Sequence, residues 1–294
     1  MGIIDLHTHS TCSDGTLSPK QIIDRAIENG VKIISITDHD SISAYIPELI
    51  RYAEDRGVTL VKGIEFSTKA KGVGFHILGY NIDLDNRCLK ETINNLQNAR
   101  KNYLLDVSKK LEELNYCVEV DKLLALPSIT KSHIGANIVG NPKNEEELIK
   151  VFGYIPSKGE FIETIMNEGC PAYTPKFGIT PKEASDIIHS AGGVVILAHP
   201  VAYTHEDNLS TQEIMEVALD IGADGIEGNY LYVDSKNIPY NECEFWNEQA
   251  KNNNLVSTIG SDFHRVDTIR PEIGLSTYHL SDDNLKAIKK LLKL

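Results

Sequence analysis

The sequence predicts an α/β protein of the (β/α) barrel kind, interrupted by a mainly helical insertion, and three observations predict it. Capped helix starts alternate with short apolar runs in residues 1–86 and again in 176–294. Those runs end, one after another, in His, Asp or Glu. Between 87 and 175 the alternation stops and a long amphipathic pattern replaces it.

The first run is Ile3-Ile4-Asp5-Leu6-His7-Thr8-His9-Ser10. Residues i and i+2 of a strand share a face, so His7 and His9 project together with Asp5 behind them. Ser18-Pro19-Lys20-Gln21 then reads as a helix start, with Ser18 as N-cap, Pro19 in the first turn and Gln21 closing a capping box. Ile22, Ile23, Ala26 and Ile27 supply its buried face, and Gly30 stops it. Ile33-Ile34-Ser35-Ile36 is a run suited to a strand buried on both faces, and it ends in Thr37-Asp38-His39-Asp40. A helix over about 46–56 leads to Thr59-Leu60-Val61, which ends in Gly63-Ile64-Glu65-Phe66-Ser67. A glycine-containing turn follows, then Phe75-His76-Ile77-Leu78-Gly79-Tyr80.

The same grammar returns at Thr180-Pro181-Lys182-Glu183, a second capped helix start ended by Gly192-Gly193. Val194-Val195-Ile196-Leu197-Ala198 runs into His199-Pro200, and later runs end in Gly225-Ile226-Glu227 and Ser261-Asp262-Phe263-His264. In a (β/α) barrel the C-terminal strand ends converge on one face, so these distant residues become neighbours. From Arg87 onward Leu89, Ile93, Leu96, Tyr103, Leu104, Val107, Leu111 and Leu114 recur at helical spacing. Residues 87–175 are expected to form an inserted domain that caps the barrel mouth.

Composition narrows the function classes. At 41% hydrophobic and 24% charged, the 294 residues suit a soluble globular chain. No apolar run reaches membrane-spanning length, and no secretory signal follows Met1-Gly2. Cys12, Cys88, Cys117, Cys170 and Cys243 are odd in number and scattered, which points to free thiols and a cytoplasmic chain. A net charge of −13 disfavours non-specific binding to nucleic acid, so local positive charge must recruit any anionic substrate.

Asp5-Leu6-His7-Thr8-His9-Ser10, Ser13-Asp14-Gly15, Thr37-Asp38-His39-Asp40, Gly63-Ile64-Glu65, His76, Ala198-His199-Pro200 and Ser261-Asp262-Phe263-His264 together resemble the PHP (polymerase and histidinol phosphatase) family of metal-dependent phosphoesterases. The motifs stand in the family's order and span nearly the whole chain. The resemblance implies a distorted seven-stranded TIM-like barrel and three divalent transition-metal ions (Mn²⁺, Fe²⁺ or Zn²⁺). It assigns His7, His9, Glu65 and Asp262 to the first ion, Asp14, His39 and His264 to the second, and Glu65, His76 and His199 to the third. Imidazole and carboxylate donors without thiolate agree with a catalytic rather than a closed structural site. Taken alone, His76 reads as a buried core histidine, Asp14-Gly15 as a turn and Asp262 as a helix cap; their joint occurrence favours the metal reading. His189 and His279 are read as structural or solvated.

The expected chemistry is in-line attack on phosphorus by a metal-bridging hydroxide, with Glu65, Asp14, Asp262 and His264 at the reacting centre. Asp5, Asp38 and Asp40 are candidates to fix imidazole tautomers. Ser128-Ile129-Thr130-Lys131-Ser132-His133 resembles the stretch that carries an Arg and a His toward phosphate in the bisphosphate-specific branch, with Lys131 at the Arg position. Two residues after His199-Pro200 the family often has Arg, where this chain has Ala202. Lys131, His133, Arg100 and Lys176 are therefore the candidate substrate contacts. The favoured substrate is a small phosphomonoester, a nucleoside monophosphate or 3',5'-bisphosphate. The alternatives are 5'-3' exonuclease action on short oligonucleotides, histidinol-phosphate hydrolysis, and a silent metal-binding domain; no protein or membrane partner is indicated.

Overall fold

The computed structural model describes residues 4–70, 72–175, 178–234, 236–274 and 280–294. Its strands are β1 (Ile4–Asp5), β2 (Ile33–Ile36), β3 (Thr59–Ala70), β4 (Val73–Tyr80), β5 (Val194–Leu197), β6 (Gly225–Asn229), β7 (Leu231–Val233), β8 (Pro239–Asn241) and β9 (Val256–Ile259). Seven of them form one sheet in the order β1-β2-β3-β4-β5-β6-β9, while β7 and β8 pair as a separate ribbon. The sheet closes on itself: Leu6 N donates to Ile259 O at 3.1 Å and His9 N donates to Phe263 O at 2.8 Å. The result is a nearly closed seven-strand barrel, as the sequence predicts.

Six of the strands run in one direction and the seventh is reversed. β4 is antiparallel to both β3 and β5, and it carries the distortion of the barrel. That reversal explains how His76, near the start of β4, reaches the mouth where its neighbours end.

The helices are α1 (Pro19–Glu28), α2 (Pro47–Asp55), α3 (Arg87–Glu113), α4 (Val120–Leu124), α5 (Lys131–Val139), α6 (Glu145–Phe152), α7 (Lys158–Phe161), α8 (Pro181–Ser190), α9 (Pro200–Glu206), α10 (Thr211–Asp220), α11 (Cys243–Asn252) and α12 (Asp282–Leu291). The expected capping boxes form at Ser18/Gln21 and Thr180/Glu183, each satisfying backbone N–H groups that a helix start leaves open. Among the described residues no helix is long and apolar enough to cross a membrane.

Two compact units result, residues 1–92 with 179–294, and residues 93–178. Among the described residues the first holds at least two apolar cores. Ile4, Leu6, Val61, Leu78, Tyr80, Ile196 and Ile259 fill one, and Ile22, Ile34, Ile36, Leu49 and Phe263 belong to the other. The second unit is helical and packs around Leu104, Val107, Leu111, Ile134, Leu148 and Phe161.

Candidate metal centre

The site follows from where the strands stop. His7 and His9 lie just beyond β1, His39 beyond β2, Glu65 within β3, His76 within β4, His199 beyond β5, and Asp262 and His264 beyond β9. Asp14 arrives on a turn that needs glycine behind it. A Cβ on Gly15 would stand 2.2 Å from the carbonyl oxygen of His9. His199 (φ 27°) and Asp262 (φ 51°) hold left-handed backbone conformations, each costing about 1–3 kcal/mol, as is common at functional sites.

All nine predicted ligands converge. Among the described residues, three sets offer donor atoms mutually within 4.8 Å: His9, Asp14, His39 and His264; His7, His9 and Asp262; and His39, Glu65 and His76. His7 Nε2 lies 3.4 Å from Glu65 Oε1 and 3.3 Å from Asp262 Oδ1. His9 Nε2 lies 3.2 Å from both Glu65 Oε2 and Asp262 Oδ1. His39 Nδ1 and His76 Nδ1 each stand 3.0 Å from a Glu65 oxygen, and His199 Nε2 stands 3.4 Å away. His264 Nε2 is 3.4 Å from Asp14 Oδ1. Glu65, with no exposed surface, is thus the common neighbour of five imidazoles.

These contacts fit cations between the donors. Both Glu65 oxygens, Asp14 Oδ1 and His199 Nδ1 are buried and make no hydrogen bond. An ionised carboxylate kept from water without donors is expensive unless a positive charge compensates it. The spacing agrees as well: ligands about 2.1 Å from a shared ion at angles of about 90–110° stand about 3.0–3.4 Å apart. His7 and His9 bring their Nε2 atoms to 3.1 Å, where two lone pairs repel without a proton or cation between them.

Electrostatics point the same way. Burial alone raises carboxylate pKa values and lowers imidazole ones, but the opposite charges prevail at most positions. Despite burial, His39, His76 and His7 hold Glu65 well below its usual range. His39 and His264 do the same to Asp14, and His264 and His7 to Asp262. Burial pulls His9 down, yet Asp262 and Glu65 bring it up to about 10. His76 moves down because its burial outweighs the attraction of Glu65.

The expected tautomer-fixing carboxylates are placed differently. Asp5 accepts from the backbone N–H groups of His7, Ser261 and Gly274, which braces the strand ends. Asp40 accepts from Ser67 N. Asp38 accepts from Ser10 N and from the Ser10 and Ser13 hydroxyls, and Ser13 Oγ lies 3.4 Å from His9 Nδ1, so its influence on that ring passes through a hydroxyl. Outside the predicted ligand set, a described carboxylate that touches a ligand ring directly is Glu227, at 3.0 Å from His7 Nδ1. Its position at the end of an apolar run was the available signal, but family motifs did not single it out.

Three of the candidate substrate contacts, Lys131, His133 and Arg100, lie in the inserted unit. Lys131 opens α5 and donates from Nζ to Asn167 Oδ1 at 3.0 Å. His133 completes the N-cap of the same helix, its Nδ1 3.3 Å from Thr130 N. Arg100 is buried and donates to Ile129 O at 2.9 Å. Lys176 and His279 lie outside the described residues. His189 sits half-exposed beside Asp224, as a structural histidine would.

Known proteins are similar to this chain in sequence and fold. A 5'-3' exoribonuclease of Haemophilus influenzae is 29% identical over 262 residues, covering 88% of this chain and 89% of its own. A 3',5'-nucleoside bisphosphate phosphatase of Chromobacterium violaceum is 25% identical over 268 residues, covering 90% of this chain and 88% of its own. The crystal structure of a candidate metal-dependent phosphoesterase from Bifidobacterium adolescentis shares the fold, with a TM-score of 0.76 at 22% identity over 98% of this chain and 96% of that one. The sequence profile of the PHP domain matches residues 5–166, more than half of the 294 present, and the chain belongs to the PHP domain family.

Proposed function

We propose that this PHP-family phosphoesterase removes a phosphate from a nucleoside monophosphate or 3',5'-bisphosphate. The observation that carries the reading is Glu65, a fully buried carboxylate without a hydrogen bond that faces five imidazoles. His7, His9, Glu65 and Asp262 would hold one ion, Asp14, His39 and His264 a second, and Glu65, His76 and His199 a third. Bound divalent ions supply Lewis-acid charge to the phosphate and acidify a water toward neutral pH.

The chain's own residues set the conditions for that chemistry. Glu65 is shared between groups, so its carboxylate keeps them at a fixed spacing. Against three divalent ions, the charges of Glu65, Asp14 and Asp262 leave a surplus of about +3, enough to draw a phosphate to a chain of net charge −13. Lys131 is proposed as a cationic phosphate contact with His133 beside it on α5, and Arg100 and Lys176 as further contacts. The Chromobacterium violaceum relative supports a small nucleotide as substrate.

A second reading, removal of nucleotides from the 5' end of short RNA, is favoured by the Haemophilus influenzae relative. Both readings cleave a P–O bond with the same ligand set. The test strips the protein with chelator, reloads it with Mn²⁺, and assays adenosine 3',5'-bisphosphate, AMP and a short 5'-phosphorylated RNA. Release of inorganic phosphate from the mononucleotides is expected. Mononucleotide release from the RNA, without phosphate release from the small substrates, would select the second reading instead.

A further inference from the structure

We infer that Glu227 is a positioning residue that sets two ligands at once, His7 through its ring and His199 through its backbone, and so couples separate parts of the metal centre. The inference rests on reading the cluster as a metal centre. Of the barrel strands, β6 is the one whose end brings no predicted ligand; it brings Glu227. That side chain has no exposed surface. Its two oxygens stand 3.1 and 3.0 Å from His7 Nδ1, and Oε2 also accepts from the backbone N–H of His199 at 3.0 Å.

Each contact has a consequence. A neutral imidazole has one N–H and one lone pair. With its Nδ1–H turned to Glu227, His7 offers the Nε2 lone pair to the space it shares with His9, Glu65 and Asp262. Held this way the ring is fixed in both tautomer and rotation, which is what a carboxylate behind a ligating histidine accomplishes. His199 is in the left-handed region at φ 27°, and the bond from its N–H stabilises a backbone that would otherwise relax and carry the ring away from His76 and Glu65. Gly260 leaves room for the arrangement, since a Cβ there would meet Glu227 Oε1 at 2.2 Å and His7 Cβ at 2.3 Å. The pair is thus built into three strand ends, at the close of β1, β6 and β9.

The test measures Mn²⁺ binding by calorimetry and elemental analysis on chelator-treated wild type, Glu227→Gln and Glu227→Ala, with melting of the metal-free chains alongside. Gln preserves volume but removes the carboxylate charge and turns one of the two oxygens facing His7 Nδ1 into an amide donor, which opposes the ring N–H even where the remaining oxygen still accepts from His199. Losses in Mn²⁺ affinity of about 10–100-fold are expected, with Ala at the larger end and fewer ions retained after dialysis. If Ala does not fold, the volume-preserving Gln variant carries the test alone. Folded variants that bind Mn²⁺ with wild-type affinity and number overturn the inference, even if the metal-free chain melts lower, because that pattern belongs to a purely structural acid. Wild type that binds no Mn²⁺ overturns the metal reading along with it, whereas wild type that binds beside an unaffected variant removes only the role of Glu227.

Discussion

The two units bury polar atoms in opposite ways. In the barrel, His7, His9 and Glu65 are almost wholly enclosed together with Asp5, Asp38 and Glu227. In the inserted unit the core consists of residues such as Leu104, Ile134, Leu148 and Phe161, and among the described residues its buried orphans are the neutral hydroxyls of Tyr103, Ser108, Tyr116 and Ser128. A hydroxyl without a partner costs a modest amount, whereas unpaired charges concentrated in one place persist only if something else is gained. The comparison teaches that the barrel gives up stability for chemistry, and the insertion is held together by ordinary packing.

Substitutions at the centres of the two units make that contrast measurable. Glu65→Gln should lower turnover by more than about a hundredfold with the barrel still folded, since even residues behind the ligands are worth about 10–100-fold. Near-normal rates at saturating Mn²⁺ would remove Glu65 from the site. Phe161→Ala, by contrast, should destabilise the inserted unit by about 3–5 kcal/mol while metal content per chain stays the same. A parallel loss of metal in that variant would mean that the units do not divide the work as described.

A smaller effect separates binding from chemistry. Lys131→Ala should lower kcat/KM for a nucleotide by roughly ten- to a hundredfold, the worth of a charge-assisted contact of about 1.5–3 kcal/mol, chiefly through KM. A generic aryl phosphate should be affected much less. Equal losses on both substrates would assign Lys131 to the fold or the metal site.

The smallest predicted effect is a pH dependence of the metal-free barrel. His9 is raised from 6.5 to about 10 by Asp262 and Glu65 against its burial, so its stabilisation is complete below about pH 6.5 and fades as pH rises toward 10. Glu65, Asp14 and Asp262 are held below their usual range, so their contribution is present above the ordinary carboxylate pKa and fades on acidification. The metal-free chain should therefore melt highest near pH 5–6, with a falling midpoint between about pH 7 and 9. Metal-loaded protein should lack the alkaline fall; identical profiles would show that the histidine cluster does not govern it.

Much of the molecule was legible locally. The caps at Ser18 and Thr180, the long helix beginning at Arg87 and the shared direction of His7 and His9, held just beyond β1 rather than within it, depend on neighbours a few residues apart. The placement of Asp5 and Asp38 was not, because a carboxylate beside a histidine in sequence can turn equally well to a backbone N–H brought from another strand.

What the sequence determined by itself is the chemistry: imidazole and carboxylate donors at strand ends, no thiolate among them, and an amphipathic insertion that needs its own core. Residue type and short-range periodicity are enough for that, since both are properties of single side chains and their immediate repeats. Tertiary structure alone decided which donors meet. The antiparallel course of β4 delivers His76 to Glu65, and closure of β1 against β9 brings Asp262 to His7. The convergence of β6 places Glu227 behind a ring 220 residues away in sequence. Such distances are set by how strands register and a sheet closes, and local sequence carries no direct record of them.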